Sequence, residues 1–242
     1  MSRSLGSGAV TARGIYVRTA RTYWRRAGYL LVLGIAVFVP LGLLDALANQ
    51  AADIDLSQDL SALGGFTVAA GLVGQAITSL LGEVFYAGAV ALALARREES
   101  EPPSLGNVAR RLAYWKLIVV DIVFGVGTAI GLLALIVPGI VFFTWFSLAG
   151  PVVELEGVGV KAAFARRRRL VRGRFWTVLL VLVPITLASE FLSTVSLEAV
   201  HLVIHSPLLS DWVGEAIANI ALSPFYAVAA VLMTLEFSRA ER

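Results

Sequence analysis

The chain has 242 residues, of which 58% are hydrophobic and 15% charged, with a formal net charge of +3 and a mean hydropathy of +0.81. A soluble domain is usually about half apolar and a quarter charged, so this composition indicates an integral membrane protein and leaves no room for a separate soluble catalytic domain. The absence of cysteine excludes disulfides, thiolate metal sites and cysteine nucleophiles.

Six apolar blocks follow one another along the chain, and blocks of about 20 residues match the thickness of a bilayer core. The first follows a basic N-terminal segment, 1–27, which we expect to be cytoplasmic and amphipathic. The second is long and predicts one tilted helix that extends into the cytoplasm. Pro138-Gly139 separates the third block from the fourth and predicts a tight hairpin. The predicted fold is all-α: a polytopic bundle of six transmembrane helices (28–242) with short cytoplasmic amphipathic helices, the spans being 28–46, 66–95, 114–136, 140–153, 175–195 and 212–235.

The distribution of charge predicts the orientation. With six spans, all 20 Lys and Arg residues fall on one side of the membrane. The opposite loops carry acidic residues, among them Asp45, Asp55 and Asp211, and no basic one. Positive charge marks the cytoplasmic side. We therefore expect a multi-pass protein of the bacterial cytoplasmic (inner) membrane, with the N-terminus and the C-terminus in the cytoplasm.

A basic segment leads into a span at three places, which are 23–30, 110–117 and 168–176. Each contains a pair of arginines close to a Tyr-Trp or Phe-Trp pair. One interpretation is a threefold repeat of an amphipathic segment followed by a helical hairpin. The other is that the concentration of positive charge on the cytoplasmic side produces the similarity by itself. The sequence leaves both interpretations open.

The longest basic run precedes the fifth span. We expect the segment 161–174 to form a short helix on the cytoplasmic membrane surface, where each arginine contributes about 1 kcal/mol of attraction to anionic lipid. Nucleic acid is not expected as a partner, because the run adjoins a span. The predicted contacts with anionic lipid are Arg166, Arg167, Arg168 and Arg169.

The stretch 138–176 carries a series of motifs, which are Pro138-Gly139-Ile140, Pro151-Val152-Val153, Glu156-Gly157-Val158-Gly159, Ala163, Arg166, Arg169-Leu170 and Arg172-Gly173-Arg174-Phe175-Trp176. It resembles bacterial polytopic proteins of the glycerophosphoryl diester phosphodiesterase membrane domain family, also called YciC-like. It departs from their pattern at Arg167, where a serine is usual. The resemblance implies a polytopic membrane protein. It carries over no catalytic residue, because the phosphodiesterase name comes from proteins in which such a domain is fused to a soluble catalytic domain.

Polar residues within the spans form a candidate site. Gln75 and Glu83 fall on one face of the second predicted span, Asp121 lies in the third and Glu190 in the fifth. We expect no lysine or arginine at that depth to pair with them. Such a polar seam either binds a solute or moves a proton, or it holds the helices together by hydrogen bonds and close packing of small residues. The second interpretation is favoured.

No metal, cofactor or catalytic residue is expected. Glu198, His201 and His205 have a spacing that could hold a metal, but the favoured interpretation is a pair of interfacial histidines beside Pro207. The sequence contains no lipase, zinc-protease or phosphate-loop motif. The predicted function is therefore non-enzymatic, namely packing with membrane lipids, with a partner membrane protein or with a second copy in a homo-oligomer. The alternative is a transporter or permease-like subunit that uses the polar seam.

Overall fold

The computed structural model describes residues 11–56, 82–95 and 104–241. Within these ranges every regular element is an α-helix, so the all-α prediction is confirmed there. Four helical stretches in the same ranges are long and apolar enough to cross a membrane, namely Ala12–Leu43, Val137–Glu156, Phe175–His201 and Pro207–Ala240. In chain order the helices are α1 (Ala12–Leu56), α2 (Glu83–Ala95), α3 (Leu105–Arg111), α4 (Tyr114–Ala134), α5 (Ile136–Phe146), α6 (Ala149–Glu156), α7 (Val160–Val171), α8 (Phe175–His201) and α9 (Pro207–Ala240).

Helix α1 joins the predicted amphipathic segment to the first predicted span. Its one non-helical residue, Arg26 (φ −124°, ψ 19°), lies beside the predicted boundary between the two. The segment before the kink packs onto the bundle, because Ile15 is buried and the Tyr16 hydroxyl donates to the carbonyl oxygen of Leu180 on α8 at 2.9 Å. The helix continues to Leu56, ten residues beyond the predicted end at 46.

The second predicted span is interrupted at Gly82. This glycine has a φ of +92°, in the left-handed region that other residues rarely adopt, and α2 begins at the next residue. A Cβ atom at this position would lie 2.7 Å from Leu41 Cδ1, so a larger residue is excluded by packing as well. The prediction of one continuous helix across 66–95 is therefore wrong at Gly82. Residues 66–81 lie outside the described part of the chain.

The predicted hairpin between the third and fourth spans is present, but its turn lies earlier than expected. Leu135 alone separates α4 from α5 and has an extended backbone (φ −171°, ψ 147°). Pro138 is within the first turn of α5, where backbone N–H groups have no partner within the helix, so the missing N–H of proline costs no hydrogen bond. Small residues let the two helices approach, since a Cβ atom on Gly131 would lie 2.8 Å from the Cα atom of Gly139.

Two helices form the centre of the bundle. Most of α2 is buried, and the C-terminal half of α9 is buried on nearly all sides from Ser223 to Thr234. Helix α6 crosses α2 so closely that a Cβ atom on Gly150 would lie 2.1 Å from the carbonyl oxygen of Val84. The described parts of α1, α4, α5, α7 and α8 surround this centre. The fourth predicted span is broken near Ser147 into α5 and α6.

The three basic segments have the same local structure. Each contains a helical segment, then a break at Arg26, at 112–113 or at 172–174, then a long helix. The tryptophan at each junction points outward, with Trp24, Trp115 and Trp176 exposed by 77%, 77% and 71%. Charge alone does not require equal exposure of these side chains. The three segments thus share an outward tryptophan next to a helix break, and the threefold repeat stays a prediction.

Candidate functional site

Asp121 joins α4 to the beginning of α2. Its side chain is buried, and its two carboxylate oxygens accept the backbone N–H of Gly82 at 2.5 Å and that of Val84 at 3.2 Å. The first amides of a helix have no partner within the helix, and a carboxylate satisfies them at low cost. The third predicted span therefore supplies the cap of α2.

Glu83 is the first residue of α2 and faces α9. The hydroxyl of Ser223 donates to its Oε1 atom at 2.5 Å. Its Oε2 atom is buried and has no hydrogen-bond partner among the described residues. Asp121 and Glu83 also interact electrostatically. The structure thus brings together two of the four predicted seam residues, and one of them keeps an open acceptor.

Arg167 enters the same region from α7. Its side chain is fully buried, its Nη2 atom donates to the carbonyl oxygen of Trp145 at 2.6 Å, and its guanidinium lies over the Phe146 ring at 5.3 Å. Nε and Nη1 have no partner within the described ranges. Burial lowers the pKa of Arg167 well below its ordinary value, with Tyr226 acting in the opposite direction.

Tyr226 lies between the arginine and the carboxylates. It is one helical turn after Ser223 on α9 and interacts electrostatically with both Glu83 and Arg167. Its hydroxyl is also buried, lies near the side chain of Ser147 and forms no well-aligned hydrogen bond in the part of the chain that the structure describes. Arg167 therefore reaches Tyr226, but no ion pair between an arginine and Glu83 or Asp121 occurs among the described residues. We call Glu83, Asp121, Arg167, Ser223 and Tyr226 the polar core.

The inward position of Arg167 has a sequence signal that the charge run concealed. Ala163, Arg167 and Leu170 follow the spacing of one helix face, and all three are buried in α7. Because four consecutive arginines dominate this segment, its apolar face is easily overlooked. The prediction that Arg167 contacts anionic lipid is wrong, since a fully buried guanidinium does not reach a lipid headgroup.

The other members of the basic run have different environments. Arg166 forms an ion pair with Glu156 at 3.0 Å and another with Glu241, and the hydrogen bond to Glu156 is the main cause of its raised pKa. Arg168 and Arg169 are exposed, and the Arg168 guanidinium lies over the Trp145 ring at 5.3 Å. Two of the four predicted lipid contacts are therefore fully accessible.

The remaining predicted seam residues are not part of the polar core. Glu190 is exposed on α8, although it interacts electrostatically with Glu83. The structure therefore does not bring Glu190 into the polar core. Gln75 lies outside the described residues.

The histidines near the end of α8 do not assemble a metal site in the described part of the chain. His201 Nε2 lies 3.3 Å from Asp211 Oδ1, and both side chains are exposed. Among the described residues no group of three or more His, Cys, Asp or Glu side chains could hold a metal ion. His201 contacts Asp211 and so links α8 to α9, and the metal-binding alternative for Glu198, His201 and His205 has no support among the described residues.

Comparison of this chain with protein-family models, with curated proteins and with solved structures gives no match. The resemblance of residues 138–176 to the phosphodiesterase membrane domain family stays a prediction.

Proposed function

We propose that this chain is a non-enzymatic protein of the bacterial inner membrane that packs with lipids and with a partner membrane protein or a second copy of itself. In this proposal it has six spans, cytoplasmic termini and membership of the glycerophosphoryl diester phosphodiesterase membrane domain family. Support comes from the four candidate spans, from α4 in the place of the third predicted span and from the motifs of residues 138–176.

The capping of α2 by Asp121 carries the non-enzymatic part of the proposal. The two oxygens of Asp121 accept the backbone amides of Gly82 and Val84 at the beginning of α2, so this carboxylate has a structural role in the folded protein. Glu154 on α6 has a similar contact, because its Oε1 atom accepts the N–H of Ala113, just before α4, at 2.9 Å. Both carboxylates stabilise helix ends inside the bundle, as polar residues commonly do between membrane helices.

The outer surface of α8 supports packing with lipid. Leu180, Leu187 and Phe191 are exposed by 52%, 64% and 73%. Large apolar side chains in such numbers on one element mark a surface for lipid or for another protein. The same helix carries the exposed Trp176 at its beginning, where an aromatic anchor at the membrane interface is expected.

Reporter fusions test the topology on which the proposal depends. Fusions after residues 100 and 160 and at the C-terminus should report the cytoplasm, and fusions near Asp55 and Ser206 should report the outside. A cytoplasmic signal near Ser206 would contradict the pairing of α8 with α9 as two spans. A cytoplasmic signal near Asp55 would overturn the orientation.

A second candidate function is transport, and one feature of the polar core favours it. Glu83 Oε2, Tyr226 Oη and two nitrogens of Arg167 are buried without a well-aligned hydrogen bond among the described residues. Buried polar atoms are nearly always hydrogen-bonded, so such a cluster has capacity for a water chain or a small polar solute. We would measure proton flux with a pH-sensitive dye trapped in proteoliposomes. Flux that Glu83→Gln abolishes and Glu190→Gln retains would favour transport, and the absence of protein-dependent flux would contradict it for protons.

A further inference from the structure

A groove of about 400 Å³ opens beside α7. This volume is within the range of about 300–1,000 Å³ that is usual for small-molecule sites. The end of α5, the C-terminal turn of α7 and the beginning of α8 form its walls. It is separate from the polar core, because it shares none of the five residues of that cluster. We call it the basic groove, and its lining includes Val141, Trp145, Arg168, Val171, Arg172 and Phe175.

The rim of the basic groove is positively charged. Arg168 is in the last turn of α7, and Arg172 caps its C-terminal end with a backbone N–H that donates to the carbonyl oxygen of Arg168 at 3.2 Å, so both residues lie at the same end of α7 and line the groove. Both residues are exposed, and no carboxylate partner of either occurs in the described ranges. Arg166 on the neighbouring face differs, because Glu156 and Glu241 neutralise it. Like charges that line one groove repel each other, so an anion between the two guanidinium groups would be stabilised by both.

The floor of the basic groove is apolar. Val141 and Trp145 come from one face of α5, and Phe175 comes from the first turn of α8. The Trp145 ring lies under the Arg168 guanidinium, which orients that side chain at the edge of the floor. One turn before Val141, Val137 is 70% exposed, so the apolar surface continues along α5 beyond the groove. A positive rim beside an elongated apolar surface matches an amphiphile with an anionic head.

We propose that the basic groove binds one anionic phospholipid, whose phosphate lies between Arg168 and Arg172 and whose acyl chain follows Val141 and Val137. Planar guanidinium groups bind phosphate oxygens in pairs, and the acyl chain would cover apolar surface that is otherwise exposed. The proposal rests on the proposed function as a lipid-packing membrane protein. The sequence predicted that all four arginines of the run 166–169 contact anionic lipid, whereas this proposal assigns the contact to Arg168 and Arg172. Arg172 was not among the predicted contacts.

Native mass spectrometry of the full chain in detergent tests the proposal. Phosphatidylglycerol, phosphatidylcholine and inorganic phosphate are titrated separately, and the affinity of the first bound molecule is compared. We expect the wild type to prefer phosphatidylglycerol, and R168Q/R172Q to bind it at least about tenfold more weakly, since each arginine adds attraction to an anionic headgroup. V141W, which fills the floor and keeps both charges, should also weaken phosphatidylglycerol binding.

The matched control is R110Q/R111Q, which removes two exposed arginines before another span and should leave the affinity unchanged. Equal losses in R110Q/R111Q and R168Q/R172Q would show attraction to the basic surface in general and overturn the proposal. Unchanged binding in R168Q/R172Q would overturn it too, as would inorganic phosphate that binds as tightly as the lipid. If the protein binds phospholipid without any headgroup preference, the proposed lipid site in the basic groove is contradicted and the proposed function is not. If the protein binds no phospholipid at all, the proposed function is contradicted as well.

Discussion

The carboxylate of Asp121 on α4 lies 2.5 Å from the backbone nitrogen of Gly82, at the break before α2. This contact joins residues 39 positions apart and holds the beginning of a buried helix in place. Because Gly82 has a positive φ and Asp121 is buried, neither residue has a simple substitute. Asp121 therefore has a structural role in the bundle, because it fixes the position at which α2 begins.

Asp121→Ala should destabilise the protein by about 2–6 kcal/mol, because it leaves two buried amides unsatisfied at about 1–3 kcal/mol each. Asp121→Asn should cost less, since its amide oxygen still accepts one of the two N–H groups. The measurement is the free energy of unfolding in mixed detergent micelles. Glu198→Ala, at an exposed position, is the control and should leave the unfolding midpoint unchanged. A loss from Asp121→Ala no larger than from the control would contradict the capping role.

Gly150→Ala should destabilise the contact between α6 and α2. The added Cβ atom would lie 2.1 Å from the carbonyl oxygen of Val84, so the helices must move apart, and overpacking of this kind costs about 1–3 kcal/mol. Gly106→Ala is the matched control, because a Cβ atom on Gly106 meets nothing within 4 Å and alanine is the better helix former. The midpoint of thermal unfolding should be lower than that of the wild type for Gly150→Ala and higher for Gly106→Ala. The same midpoint for both variants would refute the close crossing of α6 and α2.

Arg167→Met should leave the free energy of unfolding unchanged or raise it by about 1–4 kcal/mol, as often happens when a well-packed apolar side chain replaces a buried charge. Methionine keeps much of the volume beside Phe146 and Trp145 while removing two nitrogens that lack partners. Chemical unfolding of the variant gives the comparison, with Arg169→Met on the exposed face of α7 as control. A loss of stability in Arg167→Met alone would mean that the contacts of the guanidinium with Trp145 and Phe146 outweigh the cost of burying its charge.

Ser223→Ala should cost about 1–3 kcal/mol, since it removes the donor to a buried Glu83 oxygen and leaves that oxygen unsatisfied. Glu83→Gln should keep the fold, because its amide can still form hydrogen bonds. Ser223→Ala should destabilise the Glu83→Gln variant less than it destabilises the wild type, because a buried neutral amide that loses a hydrogen bond is less costly than a buried carboxylate that loses one. A double-mutant cycle on the free energy of unfolding measures this coupling. Strictly additive losses would show that the two side chains do not interact.

The local pattern of the sequence was sufficient for the helical class and for most candidate spans. Long apolar blocks have few stable alternatives in a bilayer, because every backbone polar group must be paired within the helix. The hairpin was also predictable from Pro138 and Gly139, although its turn moved to Leu135, since a proline is tolerated in the first turn of a helix.

The break at Gly82 and the direction of Arg167 were decided by tertiary structure. A glycine in an apolar block is compatible with a continuous helix until a distant carboxylate, Asp121, offers a cap for a new helix start. An arginine on an amphipathic helix can extend to the headgroups or fold inward. Here the carbonyl oxygen of Trp145 and the ring of Phe146 receive the Arg167 guanidinium, and those partners lie more than twenty residues away in the sequence. The sequence by itself predicted that polar groups from several helices form a seam. Only the packing of α2, α7 and α9 decided which polar side chains are in contact, because these helices are far apart in the sequence and no local pattern predicts how they pack.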